Sequence, residues 1–324
     1  MKKRMPGEVS VLADIAKIFR FPADRRLLLG PGDDCAVLRH SPARELVITT
    51  DELVEGTHYL ARFAAPEDLA RKLMRVNLSD LAAMGAVRPV ACVVGAGLRR
   101  DTAPDFVRRF IRELKKEALR FKLSVAGGNL AGARENHFYM TVWGEAAMGE
   151  LVLRRGAAPG DLLLNIGALG EAAAGLEILK AGKAAEIKKY SGLVRSFWQP
   201  RPMLEAGRLI SRHKLATAMM DNSDGLLSSA RDLARAGRAR VILSPGEGAC
   251  SPELRGYSAG KKKDWRGYAI SGGEDYGLIF SARPDKLSRI KKSLPGVAVV
   301  GRFEAGCGVE IENFDGKVKS FGHF

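Results

Sequence analysis

Apolar residues recur along this chain at two spacings, and the alternation between them predicts its elements. Val11, Leu12, Ile15 and Phe19 fall at helical spacing, so an amphipathic helix is expected over Glu8 to Phe19, until the glycine-rich GPGDDC of Gly30 to Cys35 breaks the pattern. Leu46 to Thr50 reads as a strand, Pro66 to Met84 as a helix with proline in its first turn, and Pro89 to Val94 as a second strand. Ala103 to Phe121 is a strongly amphipathic helix, followed by short β segments at Leu123 to Ala126 and Phe138 to Val142. Beyond the turn-rich RRGAAPGD of Arg154 to Asp161, strands are expected at Leu162 to Ile166, Thr217 to Met220, Val241 to Leu243, Tyr276 to Ala282 and Val297 to Phe303. Helices are expected at Glu171 to Lys180, Met203 to Arg212, Leu226 to Ala236 and Pro284 to Leu294. This alternation is an α/β signature without a fixed-period repeat.

A length of 324 residues is about twice that of a common domain, so two domains are expected, with the boundary at the turn-rich stretch: 1–147 and 148–324. With 46% hydrophobic and 27% charged residues the chain is globular, which excludes disordered and collagen-like classes. Lys and Arg number 52 against 37 Asp and Glu, a net +15, which favours polyanionic partners in general. The cations are scattered, however, and aromatics make up only 7%. A nucleic-acid surface is therefore not expected, and Lys261 to Lys263, followed by Asp264, reads as a solvated loop. Cys35, Cys92, Cys250 and Cys307 form no CxxC pair and read as reduced structural thiols. Asp14 and Lys17 interrupt what would have to be an apolar signal region, and the longest apolar run, Pro89 to Leu98, is about half a membrane span. A cytoplasmic protein with no membrane partner is expected.

In a chain short of acids, their placement is informative. They recur beside glycine or small residues at expected chain breaks: Asp33 and Asp34 in GPGDDC, Asp51 in TTDELVEG, Asp80 in NLSDLAAMG, Asp221 and Asp224 in DNSDG, Glu274 and Asp275 in GGEDY. Asp80 is the sharpest case. On a helix, Leu69, Leu73, Val76 and Met84 share one stripe, and Asp80 falls about 20° from it, on the face meant for the core. A buried carboxylate must be paired, protonated or bound to a cation. Two readings stay open: metal ligation, or a new helix capped by Ser79 or Asp80 after a break at Asn77.

Several carboxylates brought together repel one another unless cations sit between them. Oxygen-only donors, with Thr49 and Thr50 hydroxyls or carbonyls beside Asp51, suit Mg²⁺ and not Zn²⁺. Glycine lets backbone N–H groups approach an anion, so GPGDD, AGGN (Ala126 to Asn129) and SGGED (Ser271 to Asp275) read as loops where metal and phosphate meet. No GxxxxGK[ST], GxGxxG, HRD, DFG or GxSxG motif is present, so phosphate chemistry would need another scaffold and no covalent nucleophile is signalled. Of five histidines only His58 lies inside a motif, where it reads either as structural or as an anion contact.

GPGDDCAVL, TTDELVEGTHY, NLSDLAAMGA, AGGN, RRGAAPGD, DNSDGL and SGGEDYGL, in this order, resemble the motifs of the thiamine-monophosphate kinase family, within the aminoimidazole ribonucleotide synthetase superfamily of ATP-binding proteins. The resemblance runs from about Glu8 to the terminal GHF. It implies an α/β (α+β) fold of two domains: an N-terminal mixed sheet that pairs in a homodimer and binds ATP, and a C-terminal α/β domain that closes the cleft. It implies ATP-dependent phosphorylation of thiamine monophosphate to thiamine diphosphate, with several Mg²⁺ ions. Carried over motif by motif, Asp33, Asp34, Thr49, Thr50, Asp51, Asp80, Asp221 and Asp224 resemble metal ligands, with Asp34, Asp51, Asp80 and Asp224 the electrostatic centre of the transfer. Gly128, Asn129 and Ser223 resemble nucleotide contacts, and His58 and Glu274 substrate contacts.

Three positions depart from the family pattern. Asn129 replaces a metal-binding aspartate, and Glu150 stands where the family places an ATP-contacting arginine, for which Arg154 or the adjacent Arg155 is a substitute. Val318 stands at the aromatic position that packs on the thiamine, with Phe321 as its substitute. They leave a second reading beside the kinase, a diverged homologue that binds nucleotide and has lost or changed the reaction. Selenophosphate synthetase would need a reactive Cys near an N-terminal Lys, and the hydrogenase-maturation relative a C-terminal Cys, where this chain has His323 and Phe324.

Overall fold

A computed structural model describes residues 25–314 together with 15, 17, 18 and 316. The expected helix at Glu8 to Phe19 and positions Val318 and Phe321 fall outside the described stretch. Two six-stranded sheets organise the chain. The first contains β1 (Leu27–Leu29), β2 (Ala36–Ser41), β3 (Arg44–Val54), β4 (Arg88–Leu98), β5 (Ser124–Gly132) and β6 (His137–Ala147), in the order β1-β2-β3-β6-β4-β5. It is mixed, because β4 and β5 run parallel and every other pair is antiparallel. In β6 buried and half-buried residues alternate strictly, so one face is packed and the other open.

The packed face carries α1 (Pro66–Ala83) and α2 (Pro104–Arg120), each entered through a proline in its first turn. Leu69 and Leu73 of α1 join Val47, Leu53, Met140 and the stacked pair Phe110 and Phe138, whose ring centroids are 4.5 Å apart, in one core. From Leu69 to the end of α1 almost every residue is buried, polar ones included, because the sheet, α2 and the C-terminal half enclose the helix together.

The second sheet holds β7 (Leu162–Ile166), β8 (Ala218–Asp221), β9 (Arg240–Leu243), β10 (Leu278–Ala282), β11 (Ala298–Glu304) and β12 (Gly308–Ile311), ordered β12-β9-β11-β7-β10-β8. Its helices are α3 (Glu171–Ala181), α4 (Ala184–Lys189), α5 (Ser191–Trp198), α6 (Leu204–Arg212), α7 (Leu226–Gly237), α8 (Pro252–Gly260), α9 (Trp265–Ser271) and α10 (Leu287–Ser293). Successive residues of its central strands enter different cores: Leu163 and Ile279 pack with α7, Leu164 and Phe280 with α6 and α10. Covered on both faces, β10 is buried along its whole length and apolar except at Ser281. The two halves meet where α6 crosses α1, so closely that a Cβ on Gly207 would lie 2.2 Å from the Ala82 carbonyl oxygen. These features are the α/β architecture of two halves that the motifs imply.

Several expected boundaries are corrected. Strand β3 continues through Val54, so Asp51 lies inside a strand rather than at a break. The AGGN segment is not a loop: Ala126 to Asn129 lie within β5, which extends the expected Leu123 to Ala126 segment to Gly132. Helix α1 runs unbroken past Asn77, which removes the capping reading of Ser79 and Asp80. Strands β1, β2 and β12 and helices α4, α5, α8 and α9 have no counterpart in the expected series. Lys261 to Lys263 are at the surface, yet Lys261 pairs with Glu186 and Lys263 with Glu177. Among the described residues no helix is long and apolar enough to cross a membrane.

Candidate active site

Strand β3, helix α1, the loop before β2 and the end of β8 bring their acids to one place. Side chains alternate across β3, so Thr49 and Asp51 share the face that carries Val47 and Leu53 into the core, and that face meets α1. There the Thr49 hydroxyl donates to Oδ2 of Asp80 at 2.6 Å, and the Asp51 N–H donates to Oδ1 of Asn77 at 3.0 Å. The Asn77 amide in turn donates to the Leu73 carbonyl. Thr50 leaves on the other face and donates to the Met140 carbonyl, so its hydroxyl is not with the acids. Asp34, Asp80 and Asp221 each offer a carboxylate oxygen within 4.8 Å of the other two. The carboxylate from the helix stripe is thus gathered with one from a glycine-rich loop and one from a strand end.

Electrostatics strain this arrangement. Burial, with the charges of Asp51, Asp221 and Asp34, raises the Asp80 carboxyl well above its ordinary range. Burial, with Asp221 and Glu274 next, lifts Asp51 to about 8. Burial and then Asp34 lift Asp221 to about 7, although Ser79 and Ser223 both donate to it at 2.9 Å. Asp33 is pushed up to about 6 by burial and by Asp34. One cation answers part of this charge: Arg154 forks onto Asp34 at 2.8 and 3.2 Å, while its backbone N–H donates to Asp33. Arg154, the expected substitute nucleotide contact, is therefore engaged with the acids.

The donor set fits a hard divalent cation. It consists of oxygens, it is dense in negative charge, and burial makes that charge unfavourable until a cation compensates it. Asp224 lies on the loop after β8, one residue from Ser223 and close enough to Asp51 to raise that carboxyl. Ser223 joins the site through Asp221 and through its carbonyl, which accepts from the Glu274 N–H at 2.6 Å.

Other expected residues stand apart. Gly128 lies in one lateral row with Val94, Met140 and Asp51, three strand spacings or about 14 Å from Asp51. A Cβ there would sit 1.7 Å from the Val94 carbonyl oxygen, so only glycine allows this pairing. Asn129 occupies the next row, with Gly95, Tyr139 and Glu52, which is on the open face of the sheet. The His58 ring accepts the Val54 N–H through Nδ1 at 3.0 Å, which assigns the proton to Nε2 in the neutral ring. Glu274 is buried against Lys72 of α1. Asp275 points elsewhere: its two oxygens accept from Gly170 and Ala172 at the start of α3.

Sequence reasoning missed Lys72, Asn77 and the part Ser79 plays. Lys72 and Ser79 are two turns apart on one flank of α1, and both reach the C-terminal half. That spacing is the only signal, because a lysine on a helix flank ordinarily reads as solvated.

Comparison with known proteins places this arrangement in a family. Residues 32–146 match the AIR synthase related protein, N-terminal domain. The thiamine-monophosphate kinase of Mycobacterium tuberculosis (strain CDC 1551 / Oshkosh) is 33% identical over 274 residues, 84% of this chain and 80% of that protein. The Escherichia coli (strain K12) thiamine-monophosphate kinase is 34% identical over 282 residues, 85% of this chain and 82% of its own length. Among solved structures, AaThiL complexed with AMPPCP and TMP superposes with a TM-score of 0.86 at 29% identity, covering 100% of this chain and 99% of that one. On identity, coverage and the shared two-sheet architecture, the chain belongs to the thiamine-monophosphate kinase family.

Proposed function

We propose that this protein transfers the terminal phosphoryl group of ATP to thiamine monophosphate, giving thiamine diphosphate. The observation that carries the reading is the convergence of Asp34, Asp80 and Asp221 within 4.8 Å, at the junction of the two halves, in a chain of this family. Asp33, Asp34, Thr49, the Thr50 carbonyl, Asp51, Asp80, Asp221 and Asp224 would hold Mg²⁺, which when bound neutralises the phosphates and favours in-line transfer. The protein's own share is positioning. Thr49 and Asn77 fix Asp80 and the Asp51 backbone, Arg154 orients Asp34, and Ser79 and Ser223 hold Asp221. The acceptor is a phosphate monoester, already largely ionised at neutral pH, so no strong general base is required.

Nucleotide is assigned to the Gly128–Asn129 stretch and Ser223, and the acceptor to His58 and Glu274. A cleft of about 400 Å³ lined by Gly167, Leu169, Gln199, Arg201, Cys250 and Asp275 offers adjacent room for the organic part of the acceptor. The domain boundary is placed at 147/148, location is assigned to the cytoplasm, and the assembly to a homodimer paired through the N-terminal sheet. Every residue of edge strand β5 is exposed, Leu130 at 66%, which supports such a contact.

Incubating the protein with ATP, Mg²⁺ and thiamine monophosphate should yield thiamine diphosphate; no product above a blank without enzyme overturns the reading. A second reading, nucleotide binding without this reaction, is favoured by Asn129 on the open face and by the engagement of Arg154 with Asp34. Mg²⁺-dependent binding of AMPPCP in a calorimeter without turnover would select it.

A further inference from the structure

Lys72 has no exposed surface, although it is a charged side chain on a helix. Its ammonium donates to Oε2 of Glu274 and lies over the Phe197 ring, 3.7 Å from the centroid, with Trp198 at 5.8 Å. A lone buried ammonium is very unfavourable, so the pair and the aromatic faces are what keep Lys72 in this place.

Its partner sits on a backbone the fold has to hold. Glu274 and Tyr276 have φ of 69° and 53°, left-handed values that non-glycine residues adopt only when their surroundings impose them. Four sets of contacts impose them here. The Glu274 N–H donates to Ser223, the Tyr276 N–H donates to Asn222, Asp275 accepts from the start of α3, and α1 grips the segment through Lys72 and through Ser79 on the Tyr276 carbonyl. One carboxylate oxygen of Glu274 is thus fixed by Lys72. Among the described residues the other, Oε1, has no hydrogen-bond partner.

We propose that Lys72 is a positioning residue for the acceptor: by pinning Oε2 of Glu274 it holds that side chain in place and aims Oε1, as a hydrogen-bond acceptor, at an amino group of the substrate's heteroaromatic part. This rests on the kinase reading, in which Glu274 faces thiamine monophosphate. It also gives acceptor recognition, through Lys72 and Glu274, an anchor on α1 beside the acidic cluster that handles phosphate.

The test is steady-state kinetics with each substrate varied in turn, on wild type, Lys72→Met, Lys72→Arg, Glu274→Gln and the Lys72→Met/Glu274→Gln double variant. Loss of one oriented hydrogen bond should raise the KM for thiamine monophosphate about tenfold in Lys72→Met, leave the KM for ATP within about twofold, and be partly rescued in Lys72→Arg. The double variant should be no worse than the weaker single variant, since both act through one carboxylate. A folded Lys72→Met enzyme with unchanged acceptor KM, a parallel rise of both KM values, or effects that multiply in the double variant would each overturn the proposal. If Lys72→Met does not fold, Lys72→Arg is judged by the same split between substrates. A wild type that neither turns over nor binds thiamine monophosphate by calorimetry overturns the kinase reading and this proposal together, whereas a competent wild type with an indifferent Lys72 overturns this proposal alone.

Discussion

Asp80 shows how a single residue can work against folding and for function. It lies on the core stripe of α1 beside Asp34 and Asp221, and burial together with their charges disfavours its ionised form. Asp80→Asn should therefore have opposite effects on two measurements. Thermal melts in EDTA should show a gain of about 1 kcal/mol or more, because a repelling charge is gone, while turnover should fall by roughly 10²- to 10³-fold. A variant that loses stability in EDTA would contradict the electrostatic account. The same logic fixes a pH dependence. Asp33, Asp221 and Asp51 rise from 3.8 to about 6, 7 and 8, so the metal-free folded state binds more protons than the unfolded chain between about pH 4 and 8. That stabilising contribution is complete below the unfolded pKa and lost as pH rises through the folded values. Melting temperature in EDTA should thus fall from about pH 5 to 9, and added Mg²⁺ should raise it most at the alkaline end. At this scale Asp80 was legible because helical periodicity alone places it inward. Lys72 was not, because what buries it is a ring at position 197 and a carboxylate at 274.

Between elements, α1 and α2 are tied by two parallel rungs that differ in their surroundings. Arg75 meets Glu117 with both side chains buried, whereas Arg71, which is partly exposed, meets Glu113. Glu117→Ala strands a buried guanidinium and should cost about 3 to 5 kcal/mol; Glu113→Ala, where water reaches the arginine and Asp68 remains its neighbour, should cost about 1 kcal/mol. Chemical denaturation of the two variants measures the difference. The long helices were legible to within a residue or two, since their prolines and apolar stripes are local signals. Strand lengths in the C-terminal sheet were nearly as legible, with β7, β8, β9 and β11 within a residue of expectation, whereas β3, β4, β5 and β6 run well past their expected ends. The chemistry of AGGN suggested a loop, yet parallel pairing with β4 draws it into a strand because glycine at 128 permits the approach that any Cβ would block. Short helices such as α8 and α9 lack the length over which periodicity accumulates.

For the whole molecule, the net +15 and the acidic cluster act in different places. The cluster is enclosed at the junction of the halves, whereas the excess cations are distributed along the chain and many pair with surface acids. The positive background should hasten the encounter with phosphorylated substrates without fixing their pose. Raising ionic strength from about 0.05 to 0.5 M should lower kcat/KM for ATP several-fold and leave kcat nearly unchanged; a flat response would remove any role for the net charge.

The reach of α1 also sets a schedule during synthesis. Ser79 and Lys72 find partners 142 and 202 residues downstream. At roughly 5 to 20 residues per second, a ribosome takes some 10 to 40 s to supply the second of them. Once β6 has emerged, the complete N-terminal sheet waits for the rest of that interval beside an unmatched ammonium and unmatched carboxylates. The segment around position 274 emerges late in synthesis and completes the site last.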